Sequence, residues 1–145
     1  MAAPDIEPIG LQLSRTAKLV SRAFDDALAE AGGSLPVWLV LVSLKSQTHG
    51  AQRQIAEEIG IEGPTLTHHL NKMETAGLVT RRRDPANRRV HQVELTPAGE
   101  ELFVALLEKV VAFDQRIRDG LSERQLEQLR HLLDLVTARV AMPGA

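Results

Sequence analysis

The sequence predicts a mainly α-helical protein with one small β wing. Three observations predict it. Apolar residues recur at three- and four-residue steps through most of the chain, the period of a helix buried on one side. Glycine and proline punctuate these runs where helices would stop and start. Only the stretch LVTRRRDPANRRVHQVELTP, residues 78–97, breaks the helical period: two short segments flank a turn built from Asp84, Pro85 and Asn87.

Taken in order, residues 8–31 read as a helix, with Leu11, Ala17, Leu19, Phe24, Ala27 and Leu28 on its apolar positions and Gly32-Gly33 at its end. Ser34 is an N-cap and Pro36 sits in the first turn of a second helix, which runs to about Gln47 and is apolar on most sides. Thr48, His49 and Gly50 break it. Residues 51–59 form a short third helix, stopped by Gly60, and Pro64 opens a fourth that runs to about Ala76, with Gly77 as the residue after its end. Two short helices joined by a tight glycine-containing turn make a helix-turn-helix. Strands at about 78–83 and 90–95 follow as a hairpin. Thr96 caps a long fifth helix with Pro97 at its first position; Leu102, Phe103, Leu106, Val110, Phe113 and Ile117 mark its wide stripe, and Gly120 ends it. Ser122 and Gln125 have capping-box spacing for a sixth helix striped by Leu126, Leu129, Leu132, Leu133, Val136 and Val140. Met142-Pro-Gly-Ala is a frayed end. The order α-α-α-α-β-β-α-α divides the chain into an N-terminal helix (1–33), a winged helix-turn-helix (34–95) and C-terminal helices (96–145).

Composition narrows function. The chain has 17 Lys and Arg against 19 Asp and Glu, so the arginines of the hairpin (Arg81, Arg82, Arg83, Arg88 and Arg89, opposed within it by Asp84 and Glu94) are a local feature of a mildly acidic protein. A positive hairpin of this kind suits a polyanion, and nucleic acid is the first candidate. Aromatic residues are few (Phe24, Trp38, Phe103 and Phe113) and none lies in the basic region. That favours duplex DNA over single strands or RNA, which are stacked on exposed rings. The absence of cysteine excludes disulfides, thiolate zinc sites, cysteine nucleophiles and thiol redox sensing. The start, MAAPDIEPIG, lacks the basic and apolar regions of a signal peptide, and no apolar run is long enough to span a bilayer, so the expectation is a cytoplasmic protein without membrane association.

The fourth helix carries the candidate contact residues. Leu66, Leu70 and Met73 share one face; His68, Lys72 and Thr75 fall opposite, with Thr65 near that face, Thr67 lateral and His69 closer to the apolar side. A recognition helix needs a buried stripe to seat it and polar or basic groups in its N-terminal half, and Thr65, Thr67, His68 and Lys72 supply them. Arg88 and Arg89 at the hairpin tip suit an adjacent minor groove, while Arg81 to Arg83 alternate in direction, so that at most two face the same way; Arg81 and Arg83 are counted among the candidate DNA contacts, and one of the three can pair with an acid instead. The adjacent histidines diverge on a helix and no third ligand is spaced to join them, so no metal site is expected. No cofactor is expected either, and no glycine-rich phosphate loop or nucleophile with a base marks an enzyme. The competing function is a winged-helix module that docks its basic hairpin on an acidic protein.

The run IAEEIGIEGPTLTHHLNKMETAGLVTRRRDPANRRVHQVELTPAGEEL resembles the winged helix-turn-helix core of the MarR (multiple antibiotic resistance regulator) transcription factors. Their helix ending LxxxGLV, basic hairpin closing in D-x-R and following LTxxG correspond here to Met73–Val79, Arg81 through Asn87-Arg88-Arg89, and Leu95–Gly99. The resemblance implies a homodimer with interlocked terminal helices that reads a pseudopalindromic operator, and a regulator, commonly a repressor, released by a small aromatic or phenolic ligand. Two wide apolar stripes at the termini independently call for a second chain to cover them. Carried over, Thr65, Thr67 and His68 match base- or phosphate-contacting positions and Arg89 the wing-tip arginine, while Arg15 or Arg22 with Trp38 are candidates to line a ligand pocket. Two departures stand out. Asn87 replaces the aspartate that helps to orient the wing arginine, leaving an acceptor without charge. His68 replaces a common arginine, which predicts affinity rising on acidification.

Overall fold

The structure, a computed structural model, describes residues 6–46 and 50–142. The expected end of the second helix at Gln47, the break at Thr48-His49, the first five residues and the final Pro143-Gly144-Ala145 lie outside the described residues. The elements are α1 (Ile9–Ala29), α2 (Leu35–Ser46), β1 (Gly50–Ala51), α3 (Gln52–Ile59), α4 (Gly63–Thr75), β2 (Val79–Arg83), β3 (His91–Leu95), α5 (Pro97–Arg118) and α6 (Glu123–Ala141). The expected order holds with one addition. Strand β1 stands where the sequence predicts a break and the start of the third helix; it pairs antiparallel with β3, Gly50 opposite Val93 and Ala51 opposite Gln92. Two residues show no period, so nothing in the local sequence marks them as a strand.

The chain divides into two compact units, Met1–Val110 and Val111–Ala145, and α5 runs through both. The first unit holds the core, in which Leu28, Val40, Leu41, Ile55, Leu66, Leu70, Val79, Val93 and Leu106 are fully enclosed. Trp38 belongs to this core: it stacks on Phe103 with ring centroids 5.3 Å apart. Helix α2 starts with help from its neighbour, the Leu35 N–H donating to the Asp25 carboxylate of α1 at 2.9 Å. The Ser34 hydroxyl contributes a longer bond from the Val37 N–H, at 3.4 Å.

In the second unit, the capping box at α6 is complete: Gln125 N–H donates to Ser122 Oγ at 3.1 Å and Ser122 N–H to the Gln125 side chain at 2.9 Å. Leu132, Leu135 and Val140 of α6 are at least half exposed, as are Ile6, Ile9, Leu11 and Leu19 of the first unit. Among the described residues no helix is long and apolar enough to cross a membrane.

Candidate nucleic-acid interface

Helix α4 is seated as its periodicity requires. Leu66, Leu70 and Met73 are buried, Thr65, His68, Lys72 and Thr75 are exposed, and Thr67 and His69 are half-buried between them. Its N-cap Glu62 makes no side-chain cap bond, and Pro64 in the first turn has no N–H, so the Gly63 and Thr65 N–H groups are the first-turn donors left uncapped by Glu62. Its C-terminus closes at Gly77, whose φ of 76° is costly for any residue with a Cβ; Gly77 N–H reaches Glu74 O at 3.0 Å and Leu78 N–H reaches Met73 O at 2.9 Å. This turn delivers the chain directly into β2.

Thr67 does two things inside the motif. Its hydroxyl donates to Gly63 O at 3.0 Å and accepts from the Gln52 side chain at 2.7 Å. The first helix of the helix-turn-helix is thereby pinned to the second, and the hydroxyl has a lone pair but no proton left for an outside partner. His68 and His69 meet edge to face with centroids 5.7 Å apart. Partial burial, then the neighbouring charges of His68 and Lys72, hold His69 below the usual histidine range.

The wing is a three-stranded sheet in the order β1-β3-β2, with Val79 opposite Leu95, Arg81 opposite Val93 and Arg83 opposite His91. Arg81 and Arg83 therefore share the face of buried Val79 and Val93, and Arg82 takes the other. Arg81 is half-buried, and its guanidinium holds Glu74, at 3.2 Å, and Asn71, both on α4. Arg82 pairs with Glu94. Arg83, Arg88 and Arg89 are exposed and have no ion-pair partner among the described residues.

The wing turn explains what Asn87 does. Asp84 Oδ1 accepts the Ala86 N–H at 2.8 Å, and Asn87 Oδ1 accepts the Arg89 N–H at 3.2 Å. Two consecutive side-chain turns thus shape the tip, closed by Asp84 N–H to Val90 O at 2.8 Å. Asn87 acts on Arg89 through its backbone, a role that needs an acceptor oxygen but no charge.

The base of the wing is tied to α5. Thr96 accepts the Gly99 N–H at 3.1 Å, its own N–H donates to Leu78 O at 3.1 Å, and its hydroxyl donates to Gly77 O. Gly99 packs so closely on the Leu78 carbonyl that a Cβ there would collide with it. The spacing of Leu95-Thr96-x-x-Gly99 is thus a joint between wing and helix.

An open cleft of about 620 Å³ lies between the helix-turn-helix and the wing, lined by Gln52, Arg53, Ala56, Thr67, Arg89 and His91 among others. It joins residues from α4, α3 and the wing tip. Trp38 and the α1 arginines do not line it; Arg15 pairs with Glu7, Arg22 is exposed, and Trp38 is in the core. Among the described residues no group of three or more His, Cys, Asp or Glu is placed to hold a metal ion. Gln52, Asn71 and Glu74 are the site residues that the sequence reading did not single out.

Comparison with known proteins gives the same architecture. The family model described as MarR family matches residues 34–91. The transcriptional repressor CouR, solved bound to a 23-mer DNA duplex, is 25% identical with a TM-score of 0.83, covering 90% of this chain and 92% of that one. CouR from Rhodococcus jostii RHA1 bound to p-coumaroyl-CoA is 28% identical with a TM-score of 0.75, covering 96% and 95%. A MarR-family transcriptional regulator from Rhodococcus sp. RHA1 is 29% identical with a TM-score of 0.76, covering 88% and 91%. With a winged core that matches the MarR family model over residues 34–91, six helices among the described residues and a three-stranded wing, this chain is similar to the MarR family of DNA-binding transcriptional regulators.

Proposed function

We propose that the chain acts in the cytoplasm as a homodimeric repressor that reads a pseudopalindromic duplex. In this reading α4 enters the major groove, and the wing tip reaches the neighbouring minor groove. The observation that carries it is the pairing of an exposed polar face on α4 (Thr65, His68 and Lys72) with unpaired, exposed arginines at the wing tip (Arg88 and Arg89). Buried apolar residues seat the helix and leave its polar face to the groove. Arg83 adds a third free cation on the strand. Lys72 supplies phosphate attraction, and Thr67, with its hydroxyl proton taken, serves as an acceptor or through its methyl group.

Dimerisation is supported by exposed apolar side chains on α1, α5 and α6, including Ile9, Leu11, Leu19, Val104, Val111, Leu132 and Val140. A monomer with so many open apolar positions would associate, and a symmetric pair of wings suits two half-sites about one helical turn apart. CouR, a repressor with DNA-bound and p-coumaroyl-CoA-bound structures, supports repression and release by a small aromatic ligand. For that ligand Arg15 and Arg22 are the proposed anion-pairing residues, with Trp38 acting from the core position where it stacks on Phe103.

Selection of bound duplexes from a random library tests the reading. A recovered motif with two-fold symmetry and half-sites about one turn apart is the expected result. Recovery of no duplex at low salt would sink it and leave an acidic protein partner as the use of the hairpin.

A further inference from the structure

We propose that Arg81 is a positioning residue and not a DNA contact: with Glu74 and Asn71 it locks the wing to the recognition helix, fixing where Arg89 enters the duplex. The inference rests on the DNA-reading function above and adds a mechanism for its geometry.

Four contacts converge on this residue. The Arg81 N–H donates to Glu74 Oε2 at 3.2 Å; one guanidinium nitrogen donates to Glu74 Oε1 at 3.2 Å and to Asn71 Oδ1; Nε lies 3.5 Å from Glu74 Oε2. The backbone bond is informative because β2 is the edge of the sheet. An outward N–H on an edge strand is normally left to water, whereas here the C-terminal half of α4 takes it. A carboxylate that holds both the main chain and the guanidinium of one residue constrains position and angle together. The Arg81 side chain is 18% exposed, against 68% for Arg82 one residue on, so its cation is withdrawn from the surface that the other arginines share. Glu74 is held below the usual glutamate range, first by its hydrogen bond from Arg81, and so stays ionised at neutral and mildly acid pH.

The consequence is geometric. Between Glu74 and Arg81 the chain makes only the Gly77 turn and the first two residues of β2. Without the clamp, the recognition helix and the wing would be held together at this edge only by that turn and by apolar packing of Val79 in the core they share with Leu70 and Met73, which restricts angle less than a charged hydrogen-bonded pair does. With it, a base contact from α4 and a minor-groove contact from Arg89 sit in fixed register, which is what a narrow A·T segment beside a half-site demands.

The test is a double-mutant cycle on the full chain, with a labelled duplex recovered from the library selection as probe. In the wild-type background Arg89→Ala is expected to weaken binding by roughly tenfold. In the Glu74→Gln background the same change should cost no more than about twofold, since independent sites would instead add. Glu74→Gln should also erase the preference for A·T over G·C at the flanking positions while leaving the thermal midpoint in place, and Asn71→Ala should act in the same direction. Reversing the pair, Glu74→Arg with Arg81→Glu, should restore much of the Arg89 dependence. An Arg89→Ala penalty that stays at roughly tenfold in the Glu74→Gln background overturns the inference. A gain of affinity on Glu74→Gln overturns it too, because it would mean that Glu74 only masks a cation that touches DNA. A wild-type chain that recovers no duplex refutes the DNA reading itself, an outcome distinguishable because it precedes every variant.

Discussion

At the base of the wing, Arg81 pairs with Glu74 and Asn71 and Arg82 with Glu94; at the tip, Arg88 and Arg89 are exposed and form no ion pair among the described residues. The same residue type, five times within nine positions, thus serves two purposes. The base cations hold backbone segments in register, and the tip cations remain available to a polyanion. Charge along a sequence counts cations; the fold decides which are paired, because strand alternation and the course of α4 set Glu94 and Glu74 against the base arginines, while the tip's own acid, Asp84, is taken by the Ala86 N–H and Gln92.

The strongest way to break this comparison is to remove the tip. Arg88→Gln with Arg89→Gln is expected to cost about 2–3 kcal/mol in duplex binding, measured by titration at low salt. Unfolding should shift by no more than about 0.5 kcal/mol, since both side chains are exposed. A large loss of stability would show that the tip is structural after all. Next is the joint at the base: Gly99→Ala puts a Cβ against the Leu78 carbonyl and should destabilise the chain by about 1–3 kcal/mol in denaturant unfolding. An unchanged midpoint would refute the close packing there.

A smaller effect tests the helix between them. Burial holds His69 below the usual histidine range, so protonating it opposes folding. The sign follows: stability is complete above the unfolded histidine pKa of about 6.5 and falls as pH drops below it. The thermal midpoint should decline between about pH 7.5 and 5.5, and His69→Gln should flatten that decline. The Glu74 carboxyl, lowered by Arg81, loses its contribution only as pH falls below the glutamate range, so the clamp does not titrate in this window. Equal slopes for both proteins would remove His69 from the account. Smallest of all, Arg82→Gln breaks an exposed pair with Glu94 and should cost less than about 1 kcal/mol of stability.

Much of this molecule was legible in its sequence. The buried stripe of α4, its exposed His68 and Lys72, the Gly77 stop, the Ser122–Gln125 box and the hairpin all follow from periodicity and from residues with one strong local preference. The rest depends on contacts between elements. Strand β1 exists because β3 offers it a partner. Gln52 and Thr67 meet across the helix-turn-helix, and Asp25 caps a helix ten residues away. Nothing local marks Glu74; only the turn at Gly77, which folds β2 back along the helix, makes it the anchor of Arg81. Asn87 shows the reverse case: it departs from the family pattern by losing a charge, yet its oxygen still closes the turn on the Arg89 N–H.

The division between tip and base is tested most directly by the salt dependence of duplex affinity for Arg89→Gln and Arg82→Gln, which remove the same charge from opposite ends of the hairpin. If the tip touches phosphate and the base does not, Arg89→Gln lowers the slope of log affinity against log salt by about 0.9 and Arg82→Gln leaves it unchanged. Equal slopes for the two variants, or a larger change at Arg82, would contradict it.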